Sequence, residues 1–102
     1  MSETVREFFD GLEAKVDPAK TAGMNNSYVF DVDGAGQWTV RVTDGQVKVS
    51  EGAEQADVTI AASAETFEKI ARGDQNPTTA YMTGKLKIKG DMGAAMKLQK
   101  LF

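Results

Sequence analysis

The sequence predicts an α+β domain: a five-stranded, mixed but mostly antiparallel sheet carrying its helices on one face. Three observations point there. Apolar residues recur at three- and four-residue spacing near the N-terminus, switch to strict alternation from Tyr28 to Val49, and then return to short helical and strand-like runs in turn. Asp44-Gly45, set between two alternating runs, is a favoured two-residue hairpin turn, because both central positions need positive φ. No internal repeat, low-complexity stretch or linker divides residues 1–102, so all segments share one core, and helices gathered on one face of the sheet are its natural packing.

Taken in order, Val5, Phe8, Phe9, Leu12 and Val16 form the apolar stripe of an amphipathic helix from Thr4 to Val16. Asp17-Pro18 supplies a cap followed by proline at a first helical position, and Gly23 a stop, which predicts a short second helix. Tyr28, Phe30 and Val32, then Trp38, Val40 and Val42, mark two half-buried strands joined by Gly34-Ala35-Gly36. Val47 and Val49 complete a three-stranded meander. A fourth strand spans Ala56 to Ala62 with Val58 and Ile60 on one face. Ser63 and Glu65 open a helix whose apolar side holds Phe67, Ile70 and Ala71, ended by Gly73. Asn76-Pro77 starts a short helix through Tyr81 and Met82, closed by Gly84. Leu86 and Ile88 then alternate with Lys85, Lys87 and Lys89 in a fifth strand, Gly90 breaks it, and Asp91 caps a last helix running to Phe102.

Composition narrows the chemistry. The chain has neither cysteine nor histidine, which removes thiolate nucleophiles, disulfides, zinc fingers and the commonest proton carrier near neutral pH. No catalytic residues, metal ligands or cofactor are assigned. A hydrolase acting on acyl thioesters has no nucleophile and base pair in its favour. The longest apolar runs are a few residues, against roughly 20 for a membrane helix, and the charged N-terminus lacks a secretory pattern, so a cytoplasmic location is expected.

The formal charge of −3 conceals a split: residues 1–83 carry seven basic and fourteen acidic side chains, whereas residues 84–102 carry five lysines and a single acid, Asp91. Such a split sets a basic face toward an anionic membrane or head group, or is merely a solvated edge. Lysines at alternate strand positions also guard an edge strand against pairing. Lys85, Lys87, Lys89, Lys97 and Lys100 are the candidates for head-group contact. Nucleic acid is not expected, because these lysines are not interleaved with aromatics that could stack on bases.

Other motifs dissolve on inspection. Gly34-Ala35-Gly36 lacks the third glycine and the helix N-terminus of a nucleotide loop. Asp31-Val32-Asp33-Gly34 places its glycine too early for a calcium loop and has Val42 where a bidentate carboxylate is required.

The last helix is more telling. At 100° per residue, Ala94, Ala95, Leu98, Leu101 and Phe102 share an arc that Met92 and Met96 widen to about 220°, roughly twice what packing on one surface needs. The surplus is buried against other helices, a second copy or another protein, or a ligand. Methionine suits exchangeable apolar partners, and Met82, Met92 and Met96 cluster in the last 21 residues.

The element order and the wording of the C-terminal half resemble the sterol carrier protein 2 lipid-binding family. The carrying stretches are Ala56 to Ile60, Phe67 to Gly73, Asn76-Pro77 and, most specifically, the run from Gly84 to Gln99, within a match covering essentially the whole chain. The resemblance implies an apolar tunnel between sheet and helices that carries fatty acids, acyl-coenzyme A, sterols or hopanoids, phospholipids or isoprenoid quinones without catalysis. By position, Gln99 resembles a glutamine that reaches into the tunnel, and Trp38, Met82 and Met96 correspond to apolar tunnel positions. The candidate ligand contacts are Trp38, Val40, Phe67, Ile70, Tyr81, Met82, Met92, Met96, Gln99 and Phe102. Two departures stand out, the second at Thr83. First, the sequence ends at Phe102 without the longer tail of eukaryotic members, its Lys100-Leu101-Phe102 not matching a peroxisomal signal. Thr83 replaces a larger polar residue of some relatives, which bears on head-group specificity.

A sixteen-carbon chain buries about 14 methylenes at roughly 0.8 kcal/mol each, about 11 kcal/mol gross. Association costs of about 4–15 kcal/mol then leave micromolar binding or weaker, in a pocket of about 300 Å³ or more. The expected role is non-catalytic binding and transfer of an apolar ligand by a monomer or weak homodimer. The alternative is an assembly module whose apolar C-terminal helix packs on a second copy or an enzyme.

Overall fold

The structure, a computed structural model, describes residues 2–16 and 18–97. Its elements follow the order α1 (Ser2–Lys15), α2 (Pro18–Thr21), β1 (Asn26–Asp33), β2 (Gly36–Thr43), β3 (Gln46–Glu51), β4 (Val58–Ser63), α3 (Ala64–Ala71), α4 (Pro77–Met82), β5 (Leu86–Gly90) and α5 (Met92–Met96). The strands form one sheet in the order β3-β2-β1-β4-β5. The β1–β4 pair is parallel and the other pairs are antiparallel, which makes the sheet mixed and mostly antiparallel.

Alternation assigns the faces. Tyr28, Phe30 and Val32 of β1, Trp38, Val40 and Val42 of β2, and Val58, Ile60 and Ala62 of β4 point into one core with Val5, Phe9 and Leu12 of α1 and Phe67 and Ile70 of α3. The centre of this core is aromatic: Phe9 stacks on Trp38 and on Phe67 at centroid distances of 4.6 and 5.2 Å, and Phe30 meets Phe67 edge-on at 5.8 Å.

The turn at Asp44 and Gly45 has φ of +49° and +81°, the doubly left-handed form that the hairpin requires. Each of the three later helices starts on a side-chain cap. Ser63 Oγ accepts from the Thr66 amide, Asn76 Oδ1 from Thr78 and Thr79, and Asp91 Oδ1 from Gly93 and Ala94.

The open face of the sheet departs from simple alternation. Residues 52–57 cross it to carry the chain from β3 at one edge to β4 beyond β1, which is why β4 begins at Val58 rather than Ala56. Thr39 pins that crossing: its Oγ1 donates to the Gly52 carbonyl at 2.7 Å and accepts from the Glu54 amide at 3.0 Å. Thr39 and its cross-strand neighbour Val29 are consequently buried on a face that is elsewhere wet.

Candidate ligand-binding groove

Among the described residues, the helices do not close over the sheet at the β5 edge. A groove of about 280 Å³ opens there between α4, β5 and α5. Three local periods build its walls. Pro77, Thr78, Tyr81 and Met82 lie on one face of α4, Leu86 and Ile88 alternate on the inner face of β5, and Met92, Ala95 and Met96 share one face of α5. The hydroxyls of Thr78 and Tyr81 are the polar side-chain groups in this set, and among the described residues no charged side chain lines it. Leu86 is buried, whereas Met82 and Met96 are 79% and 78% exposed and Met92 and Tyr81 are nearly half exposed. Ligands, membranes and partner proteins bind on contiguous apolar surfaces of this kind.

Both helical walls are held from below. Ala94 and Ala95 are buried, their small side chains letting α5 sit close to the sheet. Tyr28, wholly buried in β1, donates its hydroxyl to the Ala94 carbonyl at 2.6 Å. Burial, reinforced by the negative charges of Asp57 and Asp91, pushes that hydroxyl well above the usual tyrosine range, so it stays a donor. On the α4 side, Thr83 donates to the carbonyls of Thr79 and Ala80. Its hydroxyl is thus turned back onto its own helix.

The candidate residues separate into three groups. Tyr81, Met82, Met92 and Met96 come together in the groove. Trp38, Val40, Phe67 and Ile70 do not line it; they are between 0% and 5% exposed within the closed core, where the Phe8, Phe9 and Phe30 rings from α1 and β1 occupy the space around Trp38 and Phe67. Gln99, Lys100 and Phe102, with Leu98 and Leu101, lie outside the described residues. Leu86, Ile88, Ala95, Pro77 and Thr78 are groove residues absent from the sequence-based set. Their signal was present for Leu86 and Ile88, which alternate as an apolar inner face beside two methionine-bearing helices. Lys85, Lys87 and Lys89 are exposed, with Lys87 and Lys89 on the opposite sheet face from Leu86 and Ile88, and Lys97 is exposed at the end of α5.

Among the described residues no cluster of His, Cys, Asp and Glu is placed to hold a metal ion, and no helix is long and apolar enough to cross a membrane. The geometry therefore defines an α+β domain with a groove at one sheet edge whose described lining carries no charge.

Comparison with known proteins gives that class a family. The chain belongs to the SCP-2 sterol transfer family, whose model matches residues 7–102. Human hydroxysteroid dehydrogenase-like protein 2 is 38% identical over 105 residues, covering 99% of this chain and 24% of that protein. The chain thus spans about a quarter of the length of the curated relatives it matches. Among solved structures, the sterol carrier protein domain 2 of Helicoverpa armigera is 30% identical with a TM-score of 0.67, covering 96% of this chain and 84% of that one. Palmitated SCP2L2 from Aedes aegypti, at 23% identity and a TM-score of 0.70 over 93% of this chain and 86% of that one, shares the fold. The sec-alkylsulfatase Pisa1 from Pseudomonas sp. contains a similar portion, 25% identical with a TM-score of 0.78 over 92% of this chain and 15% of that one.

Proposed function

We propose that this chain is a non-catalytic carrier that takes the apolar tail of a lipid-like ligand into the α4–β5–α5 groove and leaves the head group in water. The observation that carries this reading is the lining itself: three methionines, a leucine and an isoleucine surround a cavity of about 280 Å³ with no charged group among them. Among the described lining residues, a carboxylate, phosphate or sterol hydroxyl would meet the hydroxyls of Thr78 and Tyr81 and no charged partner, which favours recognition of the tail over the head. Membership of a lipid-binding family supports the same class of ligand. A protein of the same fold, palmitated SCP2L2 from Aedes aegypti, supports a single linear acyl chain as the class of ligand.

The volume favours one tail over several, because it lies at the lower end of the range of about 300–1,000 Å³ for small-molecule pockets. Single-tailed ligands, namely fatty acids, acyl-coenzyme A and isoprenoid quinones, therefore rank above phospholipids, with sterols and hopanoids as a bulkier test. Methionine side chains adapt to any of these shapes, which suits broad selectivity and easy release. Two hydroxyls, with no imidazole, thiol, amine or carboxylate among the described lining residues, suit holding a molecule rather than transforming it. Exposure to a total lipid extract, repurification and native mass spectrometry tests the proposal. A one-to-one adduct with a single-tailed lipid is expected; ligand-free protein across all lipid classes would sink it.

A further inference from the structure

The sheet order turns the charge split of the sequence into a spatial dipole. The basic strand β5 is one edge of the sheet, and β3, beside the acidic α1, is the other. Exposed Glu7, Asp10, Glu13 and Glu51, with Arg6, Lys15 and Lys48 among them, mark the α1–β3 end as weakly acidic, while Lys85, Lys87, Lys89 and Lys97 outnumber Asp57 and Asp91 at the β5 end. Arg6 at the acidic end is engaged by Glu51 at 3.8 Å. Among the described residues, no ion pair engages these lysines; on their face of the sheet Asp57, held by the Ser27 amide, directly precedes the neighbouring strand β4, and Asp31 and Asp33 lie one strand further in on β1.

We infer that the β5 edge is a docking surface for an anionic lipid bilayer, with Lys85, Lys87 and Lys89 on one side of the edge and the methionine-rimmed groove mouth on the other. An edge strand exposes both of its faces at one rim, so the lysines and the apolar mouth, though on opposite sheet faces, reach the same plane. Met82 and Met96 are the most exposed large apolar side chains in that region, placed to enter the interface while long lysine side chains reach around to head groups.

The net charge of −3 does not oppose this contact. Four inter-strand spacings separate β5 from β3, roughly 19 Å at about 4.8 Å each. That exceeds the screening length of about 8 Å at physiological salt, so a surface at β5 responds to the local lysines and not to the acids at the far edge. The acidic end is repelled outward, which orients the groove mouth toward the membrane instead of leaving the encounter random. The inference draws its purpose from the carrier reading, but the contact stands or falls separately.

Flotation with phosphatidylcholine vesicles, with and without phosphatidylglycerol, tests it. Binding is expected only to the anionic vesicles, and to weaken steeply with added salt. The double variant Lys87→Glu/Lys89→Glu should bind about tenfold more weakly or worse. Lys20→Glu/Lys48→Glu, with the same net charge but reversed at exposed lysines away from β5, should bind like the unaltered protein. Lys87→Gln/Lys89→Gln, expected to be intermediate, guards against misfolding of the reversed variant. Equal loss in both Glu pairs, or no binding to anionic vesicles at low salt, would overturn the inference. A parallel titration with a fluorescent fatty acid in vesicle-free buffer separates the two proposals. Fatty-acid binding without vesicle binding removes the docking surface alone, and vesicle binding without fatty-acid binding removes the groove reading alone.

Discussion

The Tyr28 hydroxyl donates to the Ala94 carbonyl at 2.6 Å across 66 residues of sequence, fastening the last described helix to the central strand of the sheet. Both groups are buried, so the bond has no water to replace it. Tyr28→Phe removes the donor and leaves the Ala94 carbonyl unsatisfied, which should cost about 1–2 kcal/mol in urea unfolding and weaken ligand binding through a looser α5.

The same hydroxyl sets a dependence on alkaline pH. Its folded-state pKa is raised above the unfolded value of about 10, so its contribution to stability is complete below that pH and declines as pH rises above it. Unfolding measured from pH 8 upward should therefore show a steeper loss above pH ~10 in the parent protein than in Tyr28→Phe. Parallel curves would remove Tyr28 as the cause.

Gly90 is the position least able to change. Its φ is +116°, and a Cβ there would collide with the Asp57 carbonyl where β5 begins its turn into α5. Gly90→Ala should lower stability by at least ~2 kcal/mol, read from its denaturation midpoint. Gly73→Ala is a useful contrast, since it carries the strained φ of +82° but meets nothing within 4 Å, and should cost less.

Thr39 has a structural task that its sequence context does not announce. Thr39→Val keeps the shape but breaks both hydrogen bonds to the 52–57 crossing. About 1–3 kcal/mol should be lost, with amide exchange of Glu54 accelerated before that of the β1 core.

Much of the fold is legible in the sequence because each decisive residue acts locally. Asp44-Gly45 needs no tertiary context to demand positive φ, and Ser63, Asn76 and Asp91 cap helices through amides two or three residues away. Thr39 is different: its partners at Gly52 and Glu54 depend on β4 pairing with β1 in parallel, a choice that alternation within a strand does not encode. The same choice decides the site. Periodicity shows that Trp38, Phe67 and Ile88 all point inward, but not how far each lies from an opening. Only the strand order makes β5 an edge, which leaves Ile88 in the groove while Trp38 and Phe67 are sealed beneath Phe9. The surplus apolar arc of the last helix was readable, and its described part resolves into buried Ala94 and Ala95 beside exposed Met92 and Met96.

Methionine methyl NMR addresses the groove most directly. In protein labelled with ¹³C at the methionine methyls, titration with palmitate should shift Met82, Met92 and Met96 saturably, while Met24, 4% exposed in the core, stays in place as an internal reference. Met82→Asp/Met96→Asp, at two largely exposed positions, should weaken the titration about tenfold or more with the fold intact. Palmitate that leaves all three groove methyls unmoved, or that moves Met24 as much as Met82, would contradict a ligand site between α4, β5 and α5.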